Sequence, residues 1–344
     1  MDETRSPVAF RPPWYLRSGH VQTVLTAIYR PKLSLANTEQ YAVPLPNGVG
    51  STYIYENYAI DAIAPEVSSA KRPSSAILML HGLGSSHGGT YMSNVAAKLV
   101  ARGERVIRVD LPGCGPSANL TWLPGHAGCS EEIWAILDWC HKNLGIDDWR
   151  AVGFSLGGNV LLRMLATRAE DLVHRRVPWT ITSALAVAPP IDLAECCEGM
   201  EGKVNRWYAR HFIKILMAEV KLRSTMWPQW AEIAMSPQPT SIRQFDDRFT
   251  APLAGFRDAN EYYRESSSSA LLRNIATETT LLCDRHDPIV QAKIFDKAIL
   301  NSKLRLEWTQ RGGHLGYLYR TTDGRYTRWA DDWVVGRIME SNPS

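Results

Sequence analysis

The chain has 344 residues, 45% of them apolar and 21% charged, which is ordinary globular usage and excludes a disordered, fibrous or small disulfide-stapled protein. Its 38 Lys and Arg against 35 Asp and Glu leave a formal charge of +3, and the basic residues are scattered rather than gathered into arms, so no nucleic-acid partner is expected. No apolar run approaches the roughly 18 residues that span a bilayer, which excludes an integral membrane protein.

The first residues, Met1-Asp2-Glu3-Thr4-Arg5, carry no apolar stretch of the secretion type, so a cytoplasmic location is expected. Cysteines at 114, 129, 140, 196, 197 and 283 form no Cys-x-x-Cys pair, which fits reduced thiols better than disulfides or zinc. The adjacent Cys196 and Cys197 are expected to be packing residues.

From about position 76 onward, β-type runs alternate with helical patterns, the signature of a mostly parallel sheet covered on both faces, and the expected class is α/β. Residues 76–80 and 105–109 form strands around a helix whose apolar positions include Met92, Val95, Ala96 and Leu99. Ser130 is placed to cap the next helix, whose stripe is Ile133, Ile136, Leu137, Cys140 and Leu144, and Gly145 suits its end. A strand at 149–153, a helix at 157–167 and a buried strand at 179–187 follow.

From about 191 to 270 the rhythm changes to helical patterns without a clear strand, including 204–222, with Trp207, Trp227 and Trp230 among the aromatics. Strand character returns at 279–283 and 304–308, and a last helix carries Trp329, Trp333, Val334 and Ile338. The β-α rhythm brackets the helical stretch, so one domain over 1–344 with a cap insertion at about 191–270 is expected.

The chemistry gathers at Gly153-Phe154-Ser155-Leu156-Gly157, a G-x-S-x-G between a predicted strand and a predicted helix. A sharp strand-to-helix turn strains the serine backbone and brings its neighbours two residues either side together, so those neighbours must be small. The hydroxyl is then presented at a helix N-terminus, where the Leu156 N–H faces an oxyanion. His81-Gly82-Leu83-Gly84 ends the first strand, where a second oxyanion donor belongs. The Leu83 amide is the leading candidate, Gly84 an alternative, and His81 is expected to tune the turn by hydrogen bonding.

An activated serine needs a base, and on this architecture the chain order is serine, acid, histidine. His314, in Arg311-Gly312-Gly313-His314-Leu315-Gly316 after the last predicted strand, fits that order better than any other histidine. Asp284 and Asp287 both lie on the loop before it. Asp287 is the chosen acid because Pro288 restricts its backbone, whereas Asp284 sits at the strand end beside Arg285.

These residues resemble the α/β-hydrolase superfamily. The further features Ser18-Gly19-His20-Val21-Gln22-Thr23, Gly157-Gly158-Asn159 and Phe245-Asp246-Asp247-Arg248-Phe249-Thr250 are similar to its YheT-type branch, related to the abhydrolase-domain lipases and esterases. The resemblance implies carboxylic ester hydrolysis by Ser155, Asp287 and His314, with some relatives transferring the acyl group to an alcohol. One departure is Asp284-Arg285-His286-Asp287, where small or acidic residues are expected before the Asp-Pro pair. The Gly19-His20-Val21-Gln22-Thr23 segment is expected to serve packing.

The sequence thus points to a serine esterase acting on a small acyl ester of short to medium chain, with the Leu83 and Leu156 amides as oxyanion hole and no metal or organic cofactor. Trp207 and Trp230 are expected to line the acyl side of the pocket. An acyltransferase using the same intermediate, and a non-catalytic binding module on the same fold, are the alternatives.

Overall fold

The computed structural model describes residues 5–7, 10–29, 33–35, 37–59, 72–202, 204–235 and 237–341, and of 5–7 the backbone alone. The chain begins with β1 (Arg5–Pro7), α1 (Gly19–Ile28), β2 (Thr38–Pro44) and β3 (Ser51–Asn57). It continues through β4 (Ser75–Leu80), α2 (Thr90–Val100), β5 (Val106–Val109), α3 (Ser130–Leu144), β6 (Asp148–Phe154), α4 (Leu156–Thr167), α5 (Ala169–Val173) and β7 (Thr180–Val187). The inserted helices are α6 (Leu193–Glu201), α7 (Arg206–Arg223), α8 (Pro228–Ala234), α9 (Ile242–Phe245), α10 (Ala251–Leu253) and α11 (Ala259–Ser266). Then come β8 (Glu278–Asp284), β9 (Leu304–Thr309), the hairpin β10 (Leu318–Arg320) and β11 (Tyr326–Arg328), and α12 (Trp329–Glu340).

The main sheet runs β1-β9-β8-β7-β6-β4-β5-β3-β2, parallel throughout except where β3 meets β5 and β2. Strands rich in Leu, Ile, Val and Met, without polar alternation, need cover on both faces, and β4 shows how it is supplied. Its Ala76, Leu78 and Leu80 join the core beneath α3 and α4, while Ile77 and Met79 point the other way, into the core with α2 and α12. The helices bury matching stripes: Met92, Val95, Ala96 and Leu99 on α2, and Ile133, Ile136, Leu137 and Cys140 on α3. α3 ends at Gly145 with φ 62°, as expected, but Cys129 takes the N-cap position and Ser130 is the first helical residue.

The parallel register sets Leu80 beside Gly153, Gly153 beside Ala186 and Ala186 beside Leu281. The carboxyl ends of β4, β6, β7 and β8 therefore lie side by side, and the loops leaving them share one edge of the sheet. The sequence reading began its strands near 76 and missed β1, β2 and β3 before that point and the short β10–β11 hairpin near the end. β2 is an edge strand with mostly exposed or half-exposed side chains and a terminal Pro44, so it carries little apolar signal. Among the described residues no helix is long and apolar enough to cross a membrane.

Candidate active site

Ser155 stands between β6 and α4 with φ 49° and ψ −120°, a conformation that costs an L-residue about 1–3 kcal/mol and persists only where the surroundings hold it. Two contacts explain the flanking glycines. A Cβ on Gly153 would sit 2.3 Å from the Gly157 carbonyl oxygen, and one on Gly157 would sit 2.5 Å from the His81 oxygen and 2.6 Å from that of Leu80. The first clash is the expected one between the two glycines; the second presses α4 onto the end of β4. The Ser155 N–H donates to Val187 O at 2.8 Å, which ties the turn to β7.

His314 meets the serine from the loop after β9. Its Nε2 lies 2.8 Å from Ser155 Oγ, and its Nδ1 lies 2.8 Å from Asp287 Oδ2. The Asp287 side chain is 1% exposed and that of His314 9%, so both partners are shielded from water. Asp287 Oδ1 accepts the Ile289 and Val290 N–H groups at 2.8 and 2.9 Å, which anchors the carboxylate on its own loop while Oδ2 faces the imidazole.

Asp284 does something else. It is buried, its Oδ2 accepts from Gly312 N–H and Thr309 Oγ1, and its Oδ1 accepts from His286 N–H and Gly313 N–H. It therefore fastens the acid loop to the histidine loop. Burial pushes its carboxyl above the usual range, an effect the backbone N–H groups oppose. Arg285 forms no bridge to it but lies 3.9 Å over the Trp308 ring.

On the other side of the serine, a Cβ on Gly82 would lie 3.0 Å from Ser155 Cβ, so the loop after β4 passes directly against Ser155. Leu83 and Leu156 both line the cavity that Ser155 opens into. As the first residue of α4, Leu156 has no carbonyl one turn back for its N–H to bond. His81 is fully buried, with Nδ1 2.8 Å from Gly82 O, and Nε2 accepting Leu111 N–H at 3.0 Å. That pattern fixes a neutral imidazole with its proton on Nδ1, and burial pushes its pKa down, so it tunes the turn by hydrogen bonding.

The cavity has a volume of about 100 Å³ and is walled mainly by the inserted helices, including Leu193, Met200, Phe212, Leu216 and Trp230. Trp230 is 2% exposed and donates Nε1–H to Trp122 O at 2.7 Å, with the Arg223 guanidinium 4.4 Å over its ring. Trp207 is a correction. It is 43% exposed, lies outside the cavity lining, and stacks on Tyr208 at 3.6 Å between ring centres. The buried side of α7 is set by Tyr208, Ala209, Leu216 and Val220, which turns Trp207 outward. Cys196 and Cys197 are buried packing residues, as expected, and also form part of the cavity wall; all six cysteines are free. Among the described residues no group of three or more His, Cys, Asp or Glu could hold a metal ion.

Sequence reasoning also missed a contributor on α1. Thr23 Oγ1, on α1, accepts the His314 backbone N–H at 2.9 Å. The segment read as packing thus touches the site, and its only signal was the match of Gly19-His20-Val21-Gln22-Thr23 to a family pattern.

Comparison with known proteins identifies the family and the fold. The model of the alpha/beta hydrolase family matches residues 77–323. The chain is 27% identical over 320 residues to "Putative esterase YheT" of Escherichia coli, covering 92% of this chain and 89% of that protein. It is 24% identical to phospholipase ABHD3 of Mus musculus, over 73% of this chain and 60% of that protein. Among solved structures, the esterase Pf2001 of Pyrococcus furiosus superposes with a TM-score of 0.52 at 14% identity, over 98% of this chain and 97% of that one, a likeness of fold.

Proposed function

This chain belongs to the alpha/beta hydrolase family, of the YheT type, and on that premise we propose that it hydrolyses carboxylic esters with Ser155 as nucleophile, His314 as base and Asp287 as the acid that orients the base. The observation that carries the reading is the continuous hydrogen-bonded row from Ser155 Oγ through both His314 nitrogens to Asp287, opening into an apolar cavity. The esterase and phospholipase names of its relatives support the same class of chemistry.

In the reaction, His314 Nε2 takes the hydroxyl proton as Ser155 Oγ attacks the acyl carbonyl. The Leu83 and Leu156 N–H groups hold the developing oxyanion, where preorganised donors typically contribute about 2.7–4 kcal/mol each. Collapse expels the alcohol, which leaves with the proton from His314, and the acyl group stays on Ser155. Water, deprotonated by the same imidazole, then attacks the acyl enzyme and frees the acid. Asp287 holds the imidazole tautomer throughout and stabilises its protonated form.

The wall around Ser155 favours short to medium acyl chains over acetate, because each methylene that it buries contributes about 0.8 kcal/mol. A p-nitrophenyl ester series tests both parts. Wild-type protein turns over the series with a preference above acetate, Ser155→Ala loses turnover by about six orders of magnitude, and Trp230→Ala moves the chain-length optimum while Trp207→Ala leaves it in place. Turnover retained in Ser155→Ala removes the mechanism; an optimum moved by Trp207→Ala but not by Trp230→Ala removes the assignment of the acyl wall.

A further inference from the structure

The histidine loop holds its shape against its own backbone preference. Arg311, Gly313, Leu315 and Tyr317 all have positive φ, of 75°, 62°, 52° and 54°, and only one of the four is glycine. Such a loop keeps one geometry only when its surroundings over-determine it. Asp284 does this from the acid loop, and the Arg328 guanidinium donates to Leu315 O at 2.7 Å.

The third support is α1. Its approach is close enough to require glycine on both sides: a Cβ on Gly19 would sit 1.9 Å from His286 O, and one on Gly313 would sit 2.3 Å from Gly19 O and 2.6 Å from Thr23 Oγ1. Gln22, fully buried, clamps β10 by accepting Leu318 N–H at 2.6 Å and donating to Leu318 O at 2.9 Å. Thr23 Oγ1 donates to Gly19 O at 2.8 Å and accepts the His314 N–H at 2.9 Å, so the hydroxyl bridges α1 to the histidine loop. On the outer side, His20 Nδ1 lies 3.1 Å from the Tyr208 hydroxyl of α7 and the two rings stack, so α1 is held between the base and the inserted helices.

We propose that Thr23 is a positioning residue for the reaction: through the His314 backbone N–H it sets the reach of the imidazole to Ser155, with α1 seated against the inserted helices by the His20–Tyr208 contact. This rests on the reading of Ser155 and His314 as nucleophile and base. A side chain that only packed would be replaced by one of equal shape without kinetic effect. One that fixes the imidazole acts on the serine's reactivity, and a displacement of about 1 Å costs on the order of a hundredfold.

The test compares wild type, Thr23→Val, Thr23→Ala and Thr23→Ser for p-nitrophenyl ester kinetics, for the rate of Ser155 labelling by a fluorophosphonate, and for melting temperature. Thr23→Val, close in shape but without the acceptor, lowers kcat and the labelling rate together by about a hundredfold with KM unchanged. Thr23→Ser restores both. Thr23→Ala gives the same loss and serves in place of valine if that variant does not fold. Labelling of the valine or alanine variant at the wild-type rate, or a serine variant as slow as valine, overturns the inference alone. A wild type that the probe does not label removes the catalytic reading and the inference with it.

Discussion

Asp284 closes β8 and Asp287 stands on the loop that follows, and their surroundings separate them more sharply than their sequence neighbours do. Asp287 keeps one oxygen for the imidazole, whereas both oxygens of Asp284 accept from backbone or threonine donors. Asp287→Asn therefore lowers kcat by about four orders of magnitude by admitting the wrong imidazole tautomer. Asp284→Asn leaves an N–H2 facing donors and lowers stability by about 1–3 kcal/mol, with a far smaller change in kcat. Paired measurements of kcat and melting temperature check this, and the reverse ranking moves the acid's role to Asp284. That Asp287 faces His314 was legible because proline marks a rigid loop. The function of Asp284 was not, since its partners Gly312 and Gly313 come from another loop and contribute only backbone, which no side-chain pattern reveals.

Among the elements, the turn Asp246–Thr250 between α9 and α10 has π-type hydrogen bonding, and it builds a buried polar knot in the cavity wall. Asp246 accepts from Tyr263 on α11 and from Thr250, both at 2.7 Å. Burial pushes the Asp246 carboxyl from its usual 3.8 up to about 6. The folded protein thus holds this proton to a higher pH than the unfolded chain does. The Asp246 contribution to stability is greatest below the unfolded value and is lost as pH rises from about 4 to about 6, by on the order of 3 kcal/mol. Asp246→Asn, with no proton to lose, removes that part of the slope whatever its effect on absolute stability. Chemical denaturation of both proteins between about pH 4 and 7 checks it; a stability difference that does not change with pH contradicts the assignment.

The same insertion shows where sequence patterning stops. Its helical character and the helix over 204–222 were legible from apolar spacing, but Trp207 and Trp230 carry the same composition signal and only the packing of α7 and α8 sends one outward and the other to the cavity. Arg223 was silent for a similar reason. A basic residue on a helical surface reads as solvated, yet it is fully buried, donating to the carbonyls of Thr121 and Leu123, while its guanidinium lies over the Trp230 ring. Its acceptors are backbone atoms about a hundred residues away.

At the scale of the whole molecule, the sheet register is what brings residues 155, 287 and 314 to one edge, because parallel strands β6, β8 and β9 end there and each releases the loop that carries one of them. That much followed from chain order and the elbow motif. The contribution of α1 did not, since a helix before the first recognised strand has no register to place it, and its Gly19, Gln22 and Thr23 meet backbone groups of the acid loop, of β10 and of the histidine loop more than 260 residues later. The central claim is that this convergence makes Ser155 a nucleophile. It is tested most directly by reacting the folded protein with a fluorophosphonate and locating the adduct by peptide mass spectrometry: the account predicts a single adduct on Ser155 that is lost in His314→Ala, whereas an unmodified Ser155, or equal labelling in the absence of His314, would contradict it.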